Sequence, residues 1–537
     1  MRLQRRQAPL PGAWGAAEST LTHLDLNEVA KKSKYVLPKD TTMNVTGKIL
    51  IAVSVVLVFL TLLFSGSFSQ NAEAQRADTL RILQVTGGGP WHDYGTQKDQ
   101  IENGLLERLS NIEITTDYEG ADTLTMESTD FFFSRHLEED WAADFDVVVY
   151  NQCNLQVKDG DYVKRIIAEH VKHQLPAVML HCPIHLYQYA MDGAADEWWE
   201  FTGAVSYVHE KENHPNTSPY TIEVLEPQHP IMANYPRSWR TPAGELYLII
   251  DLQDDVTPLS HAYSVETNSY SETAWIHEYE GVRVFTSSLG HHNESMGSDV
   301  NLNLVAAGVL WAAGKLEDDG TPAPGYEGER GLGWISVLGD SLAGWIESGG
   351  VVDWTAPTWY GRKMTFPTVD DRTAGESFRV EDNTLVVEGD SRNLFYDGEI
   401  AGGYFRNFEF KVDVYTEPGS ASGIFFHTRY EEDGTPAYGY EAQINASRDG
   451  ESKTGSLVGA SEVQTAAHAD EEWFTYHIKV DGNTVTTKVN GETVNEFVEP
   501  ADAQGSGTLN RGTIGFESVG ADSRVLFRNP MIRLLPD

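Results

Sequence analysis

The hydrophobic pattern changes near the middle of the chain, and this change restricts the folds that the sequence can adopt. In the first half, continuous apolar runs such as Leu80–Thr86 and Asp144–Tyr150 alternate with stretches of helical spacing such as Asp99–Leu109. Continuous apolar runs are typical of strands buried on both faces, and their alternation with helices predicts a mostly parallel sheet covered by helices. We therefore expect an α/β domain over residues 79–316.

The second half alternates apolar and polar residues with a period of two. Tyr404–Val414 is the clearest such stretch, and the dipeptides Asp481-Gly482 and Asn490-Gly491 mark two hairpin turns. Many short strands joined by tight turns predict an all-β sandwich or jelly roll over residues 334–537. Residues 317–333, which are rich in Gly, Pro and charge, are expected to form a linker.

The N-terminal 74 residues differ from both domains. Ile49–Phe64 carries no charge, and Ala72-Glu73-Ala74 fits the pattern of a signal-peptidase site. Residues 49–74 are expected to be a cleaved signal peptide or, alternatively, a single transmembrane anchor. Residues 1–48 are expected to be a short N-terminal tail or, alternatively, to contain a mis-assigned start, with Met43 as the true start. Either alternative predicts a periplasmic or secreted protein that touches the membrane only through this segment.

The charge of the chain restricts its partners. The sequence has 39 Lys and Arg against 80 Asp and Glu, a formal net charge of −41. Phosphate recognition needs a basic surface, so nucleic acid is not an expected partner. An acidic surface of this kind keeps a protein soluble and says little about a neutral substrate.

Histidines follow several of the predicted strands in the first half. They include His92, His181 and His291, and the ends of parallel strands meet at one edge of a sheet. His185, His209 and His292 belong to the same group. Imidazoles gathered there could bind a sugar or a divalent metal, whereas the alternative is that they only cap loops. No cofactor is certain from the sequence, and a divalent metal remains open.

Ordered motifs in the first half match a known family. They are Val85–Asp93, Leu180-His181, Gln228–Ile231, Gly244–Tyr247 and Leu289–His291. This set resembles the trehalose-utilisation (ThuA-like) family. The resemblance implies a flavodoxin-like fold of the class I glutamine-amidotransferase type and a role in sugar processing.

One residue of this half departs from glutaminase chemistry. Cys182 stands near the place of a glutaminase nucleophile, but Pro183 removes the backbone N–H that would follow it in an oxyanion hole. An acyl-transfer role for Cys182 is therefore the weaker alternative. Two cysteines in a chain of this length rule out a disulfide scaffold. Cys153 and Cys182 lie at or beside the ends of predicted buried strands, so we expect buried structural residues that an exported location does not oblige to pair.

The second half also contains an ordered set of motifs. Trp334–Trp345, Ser422–Arg429, Tyr440–Asn445, Lys453–Leu457 and Val525–Leu534 look like the 3-keto-disaccharide hydrolase family. That resemblance implies a concanavalin-A-like jelly roll. It also implies cleavage of glycosides already oxidised at C3, by hydrolysis or by elimination followed by hydration.

Such chemistry needs a base for the C2 proton and donors or a cation for the enolate oxygen. Residue types in the motif strands give Glu441 or His427 as the base, Arg429 and Lys453 for the enolate, and Gln443 and Asn445 as hydroxyl ligands. His427 stands where the family most often has Arg, so Glu441 ranks first. Phe425, His427 and Arg429 are expected to share one strand face.

These observations predict an exported hydrolase or lyase that acts on a 3-keto-disaccharide or a related oligosaccharide. The ThuA-like domain, with His92, His181 and His291, is expected to aid sugar binding or processing. The alternative is a non-catalytic carbohydrate-binding protein that stacks sugars on aromatics such as Trp354, Trp359 and Tyr360.

Overall fold

The computed structural model describes most of the chain beyond the N-terminal segment. The described residues are 78–120, 130–206, 208–209, 219–348, 377–432, 434–449, 452–503 and 508–536. The proposed signal or anchor at 49–74 and the aromatics Trp354, Trp359 and Tyr360 lie outside them. Within the described residues, no helix is both long enough and apolar enough to span a membrane.

A large sheet organises the first half. The strands of the first half are β1 (Leu80–Gly87), β2 (Ile112–Glu119), β3 (Val147–Gln152), β4 (Ala177–Leu180), β5 (Ala204–Val205), β6 (Val208–His209), β7 (Thr221–Val224), β8 (Ser238–Arg240), β9 (Tyr247–Leu248), β10 (Asp251–Leu252), β11 (Thr257–Ser264), β12 (Ser269–Tyr279) and β13 (Val282–Ser287). Four of them form two separate short pairs, β5 with β10 and β6 with β9. The order in the large sheet is β2-β1-β3-β4-β13-β12-β11-β7-β8.

Helices cover both faces of this sheet. They are α1 (Tyr94–Arg108), α2 (Gly160–His173), α3 (Ala194–Thr202), α4 (Asn293–Met296) and α5 (Asp299–Ala312), with 3₁₀ turns at Arg135–Leu137, Cys182–His185 and Pro230–Met232. Apolar residues of α1 and α5 pack with Ile82 and Val149, whereas those of α2 and α3 pack with Leu83 and Val148 on the other face. Successive strand residues point to opposite faces, so continuous apolar runs supply both layers.

The sheet is mixed, which differs from the mostly parallel sheet expected from the sequence. The strands from β2 to β13 in the sheet order are parallel to their neighbours. From β13 onward, β12, β11, β7 and β8 pair antiparallel. The polar turn of Thr267-Asn268 joins β11 to β12 directly, so no crossover helix separates those strands.

Two antiparallel sheets form the second half. Their strands are β14 (Ile335–Ser336), β15 (Trp345–Glu347), β16 (Phe378–Glu381), β17 (Thr384–Glu388), β18 (Arg392–Tyr396), β19 (Phe408–Thr416), β20 (Ala421–Thr428), β21 (Tyr440–Asn445), β22 (Phe474–Asp481), β23 (Thr484–Val489), β24 (Glu492–Val498), β25 (Thr513–Ser518) and β26 (Arg524–Leu534), with a 3₁₀ turn at Ile400–Gly403.

One of these sheets runs β16-β17-β26-β19-β22-β23-β24, with β14 added beside β26, and the other runs β15-β18-β25-β20-β21. They enclose apolar side chains such as Phe410, Phe516 and Phe527; the rings of Phe516 and Phe527 lie 4.7 Å apart. The alternation of apolar and polar residues thus places one face of each sheet in this shared core.

The segment expected to be a linker is packed against the first half. Tyr326 donates from its hydroxyl to the carbonyl of Asp78 at 2.7 Å, and Leu332 is buried. Asn303 of α5 accepts from the backbone N–H of Gly333 at 3.1 Å and donates to the carbonyl of Trp334 at 3.1 Å. Residues 317–333 therefore act as a strap along the first domain.

Candidate functional site

Three histidines converge at one edge of the large sheet. His92 follows β1, His181 follows β4 and His291 follows β13, and these strands are parallel. Their ring centroids lie 4.6 to 5.4 Å apart, and one nitrogen from each lies within 4.8 Å of the others. The prediction that strand-end histidines meet over the sheet edge is confirmed for these three.

Glu245, which the sequence reasoning did not single out, completes this histidine cluster. Its Oε2 atom lies 3.2 Å from Nε2 of His181 and 3.0 Å from Nδ1 of His291. Burial raises the pKa of Glu245, but the contacts with the two histidines outweigh burial and hold that pKa far below its ordinary value. The available signal was its place in the motif Gly244–Tyr247.

Backbone carbonyls orient two of the rings. Nδ1 of His181 lies 2.7 Å from the carbonyl of Ser288, and Nδ1 of His92 lies 3.3 Å from the carbonyl of His291. The buried amide of Gln97 donates to the carbonyls of Gly290 at 2.9 Å and His291 at 3.1 Å. Burial lowers the pKa of both His92 and His181, and it outweighs the carboxylate of Glu245, which raises the pKa of His181.

A disulfide lies beside the histidine cluster. Cys153, just after β3, and Cys182, just after β4, are bonded, with their Cα atoms 5.6 Å apart. The expectation of separate structural cysteines was therefore incomplete: both are buried, but the parallel neighbours β3 and β4 bring their ends close enough to pair. In the disulfide form, Cys182 carries no thiolate for acyl transfer.

The remaining strand-end histidines have other positions. The ring of His185 lies 3.8 Å from that of Tyr247, and the ring of His292 lies 4.4 Å from that of His291. His209 belongs to β6, and its side chain lies outside the described part of the chain.

In the second half, Glu441 and Gln443 face away from the sandwich core. They alternate along β21 with Ala442 and Ile444, which belong to that core. Glu441 pairs with Phe425 of β20, and a Cβ atom added at the neighbouring Gly423 would lie 2.6 Å from Oε1 of Glu441. The side chain of Glu441 therefore occupies the space that this glycine leaves.

A second carboxylate and aromatic rings share this outer face. Ile424 pairs with Phe516, so Gly423 lies beside Glu517 of β25, which is itself opposite Asn393 of β18. Phe425 and Phe395 also point outward, and the ring of Phe395 lies 5.6 Å from that of Tyr430. The sequence reasoning missed Glu517 and Asn393, although the alternation in Gly515-Phe516-Glu517 was their signal.

His427 does not share that face, and the expected common face for Phe425, His427 and Arg429 is wrong. The pairing of β20 with β25 shifts between Phe426 and Thr428, and His427 adopts a left-handed φ of 53°. Such a bulge turns its side chain out of the alternation. Nδ1 of His427 accepts from the N–H of Asn510 at 3.1 Å, and Nε2 faces the carbonyl of Arg406 at 2.7 Å, so backbone partners occupy both nitrogens.

The other predicted residues lie around the outer face. Asn445 is fully buried and binds the loop that follows it, accepting from the N–H of Arg448 at 2.9 Å. Lys453 donates to the carbonyl of Arg448 at 2.8 Å. Arg429 lies beyond the end of β20, with its guanidinium 3.4 Å from the ring of Tyr438. Asn445 and Lys453 thus hold a loop, and Arg429 remains at the rim.

Two family models match the chain in succession. The trehalose utilisation (ThuA) model matches residues 92–312, and the 3-keto-alpha-glucoside-1,2-lyase-like domain model matches residues 333–533. The histidine cluster lies within the first match, and the face of Glu441 lies within the second. No curated protein matches the chain significantly.

Several solved structures are similar to parts of the chain. A protein described as a glycosyl hydrolase from Parabacteroides distasonis is 20% identical, covering 38% of this chain and 99% of its own, with a TM-score of 0.27. A ThuA-like protein from Parabacteroides merdae is 16% identical, covering 47% and 98%, with a TM-score of 0.35. The carbohydrate-binding module CBM66 from Bacillus subtilis is 12% identical, covering 35% and 95%, with a TM-score of 0.21.

Proposed function

Because the chain carries a ThuA domain followed by a 3-keto-alpha-glucoside-1,2-lyase-like domain, we propose that it is a carbohydrate-active enzyme that cleaves 3-keto-glycosides. The observation that carries this proposal is the face of Glu441, Gln443 and Glu517. It places two carboxylates and an amide on one outer face of the sheet, with the buried rings of Phe425 and Phe395 packed among them.

A ketone at C3 of a glycoside acidifies the hydrogen on C2. In the proposed reaction Glu441 takes the C2 proton, and the electrons of the C2–H bond pass into the enolate of the C3 carbonyl. The C3 carbonyl then reforms, a C1–C2 double bond forms, and the bond from C1 to the leaving oxygen breaks. A proton passes to that oxygen, and water adds to C1 when the outcome is hydrolysis.

The second carboxylate suits the proton delivery step. Glu517 lies on the strand next to β20, on the same outer face as Glu441. Two carboxylates in one site can take different protonation states, which lets one act as a base and the other as an acid. We assign the base to Glu441 and the acid to Glu517, with Gln443 as a ligand for a sugar hydroxyl and Arg429 as the candidate cation for the enolate oxygen.

Turnover of 3-keto-trehalose or 3-keto-lactose by the full-length chain tests this proposal. We expect Glu441→Gln to lower kcat by at least about 100-fold, because general base catalysis contributes about that much. Glu496→Gln, an exposed change on β24, is the matched control and is expected to turn over like the wild type. Undiminished turnover in Glu441→Gln would reject the site. Binding of plain glycans without turnover by the wild type would favour a carbohydrate-binding protein.

Export is part of the same proposal. The charge-free Ile49–Phe64, followed by Ala72-Glu73-Ala74, supports it. The Cys153–Cys182 disulfide supports it independently, because disulfides persist in oxidising compartments and are rare in the cytosol. Sequencing the N-terminus of the chain recovered from extracytoplasmic fractions tests cleavage, and recovery only from the cytosol with reduced cysteines would contradict export.

We also infer the finer fold of each half. The parallel order β2-β1-β3-β4-β13 supports a flavodoxin-like first domain, since doubly wound sheets of that type have the order 2-1-3-4-5. Two facing antiparallel sheets support a concanavalin-A-like jelly roll in the second half. An experimental structure at side-chain resolution tests both assignments through the strand connections.

A further inference from the structure

We propose that His92, His181, His291 and Glu245 bind a divalent transition metal, for which zinc is the best-fitting ion. This site lies in the first domain, on a different domain from the face of Glu441, and the proposal does not depend on the activity of that face. It rests on the arrangement of lone pairs, the spacing of the donor atoms and the types of ligand.

The hydrogen bonds of His181 leave a lone pair that needs a cation. Nδ1 of His181 lies 2.7 Å from the carbonyl of Ser288, and a carbonyl can only accept, so Nδ1 carries the proton. In the neutral ring, Nε2 then presents a lone pair to the carboxylate of Glu245 at 3.2 Å. Two acceptors at that distance repel each other unless a positive charge lies between them.

His92 is held in the same tautomer. Its Nδ1 lies 3.3 Å from the carbonyl of His291, so Nδ1 carries the proton in the neutral ring and the lone pair is on Nε2. Ligating histidines are commonly fixed by such a bond from the other ring nitrogen. Gln97 holds the carbonyl of His291 from a second direction at 3.1 Å, so this support is built from buried side chains.

A buried ion pair is the competing explanation, and the geometry disfavours it. Nε2 of His181 and Nδ1 of His291 lie close to Oε2 of Glu245, yet within the described part of the chain neither makes a hydrogen bond of acceptable geometry. An imidazolium at His181 would also be a charged ring with only 1% of its surface exposed. Such a charge is costly without well-directed hydrogen bonds.

The spacing of the donors fits one metal ion. Bonds from zinc to nitrogen and oxygen are about 2.0–2.2 Å, so adjacent ligand atoms around one ion lie roughly 3.0–3.5 Å apart. The two distances from Oε2 of Glu245, 3.2 and 3.0 Å, fall in this range. The three nitrogens lie within 4.8 Å of one another, so small ring movements bring them all to one centre.

The ligand types favour zinc over calcium or magnesium. Imidazole nitrogens suit zinc, copper, nickel and iron, whereas calcium and magnesium prefer oxygen ligands alone. His92 and His291 are only partly buried, so a small oxygen ligand such as a sugar hydroxyl or ketone can approach from that side. Zinc accepts a fifth ligand of this kind and polarises a carbonyl.

Metal analysis of the full-length chain tests the proposal. The chain is dialysed against zinc, then against metal-free buffer, and bound metal is measured by mass spectrometry. We expect about one zinc per chain in the wild type and less than a tenth of that in His181→Ala. His277→Ala is the matched control, because His277 is a buried histidine 3.2 Å from a carboxylate, that of Asp255, but lies outside the cluster. It should retain the zinc.

A near-isosteric variant guards against misfolding of His181→Ala. Glu245→Gln keeps the shape of the side chain and removes its charge, so we expect a folded protein with zinc affinity lowered at least about tenfold. Cobalt in place of zinc gives visible absorption bands that should weaken in this variant. The proposal is overturned if the wild type takes up no zinc or cobalt, or if folded Glu245→Gln and His181→Ala bind as much as His277→Ala.

Discussion

Gly423 provides a direct test of the Glu441 face, because it leaves the space in which the carboxylate lies. A Cβ atom at this position would lie 2.6 Å from Oε1, 2.8 Å from Cγ and 3.0 Å from Cδ of Glu441. Ordinary contacts of a Cβ atom begin at about 3.4 Å, so Gly423→Ala requires the carboxylate to move by roughly 0.8 Å. The contacted atoms belong to a half-buried side chain, which can move without displacing the backbone.

The expected consequence is a large loss of activity with a small loss of stability. Misplacing a catalytic group by about 1 Å can cost on the order of 100-fold in rate. We therefore expect Gly423→Ala to lower kcat/KM for a 3-keto-disaccharide by 10- to 100-fold. The free energy of unfolding should fall by less than about 3 kcal/mol, because overpacking costs 1–3 kcal/mol where the neighbours cannot yield.

Steady-state kinetics and denaturant unfolding of the same preparations make the comparison. Gly339→Ala is the matched control: a Cβ atom there meets nothing within 4 Å. We expect this control to match the wild type in both measurements. If Gly423→Ala keeps kcat/KM within twofold of Gly339→Ala, the position of Glu441 does not govern turnover, and the assignment of Glu441 as the base is refuted.

Three further predictions concern stability, measured by denaturant unfolding. Replacing both Cys153 and Cys182 by Ala should lower the free energy of unfolding by about 3.6 kcal/mol, because the disulfide closes a loop between residues 29 positions apart. An unchanged denaturant midpoint would argue against a formed disulfide. Arg108→Ala should lower the free energy of unfolding by about 1.5–3 kcal/mol, because it removes a fully buried guanidinium that donates to Asp299 at 2.6 Å and to Asn303 at 2.8 Å, whereas a loss below 1 kcal/mol would contradict this. Burial lowers the pKa of His136 to about 3 and of His170 to about 4, so the unfolded chain binds more protons below pH 6.5. The free energy of unfolding should therefore be highest above pH 6.5 and should fall by about 1.4 kcal/mol per pH unit for each histidine between pH 6.5 and pH 4. In His136→Gln this fall should be less steep, because one of the two histidines is gone.

Much of the fold could be predicted from the hydrophobic pattern. Leu80–Thr86 is a strand within one residue of its observed end, and the hairpins at Asp481-Gly482 and Asn490-Gly491 join β22, β23 and β24 as expected. The antiparallel part of the first sheet could not be predicted in the same way. A buried strand shows the same apolar run whichever direction its neighbour takes, so the run in Val282–Ser287 does not reveal that β12 pairs antiparallel to it.

The sites show the same division between local and long-range information. Histidines at strand ends could be predicted to meet, because parallel strands fix where their ends lie. Glu245 could not be placed, since it comes from the loop before β9 and reaches the cluster only through tertiary packing. The predicted face of His427 was wrong because a one-residue bulge interrupts the strand alternation. The residue at the bulge is not a glycine, so the sequence does not indicate a positive φ there.

The strap shows what composition leaves out about the join between the two halves. Gly, Pro and charged residues in 317–333 are typical of a linker or boundary, and single apolar residues among them, such as Leu332, are buried. Beyond the strap, Trp334 lies under two cations of the second half, 4.2 Å from Lys411 and 4.9 Å from Arg533. Asn303 of α5, in the first half, donates to the backbone carbonyl of Trp334, so this one residue contacts both domains. Expressing either half alone would expose these contacts, so the two halves are best assayed in the intact chain.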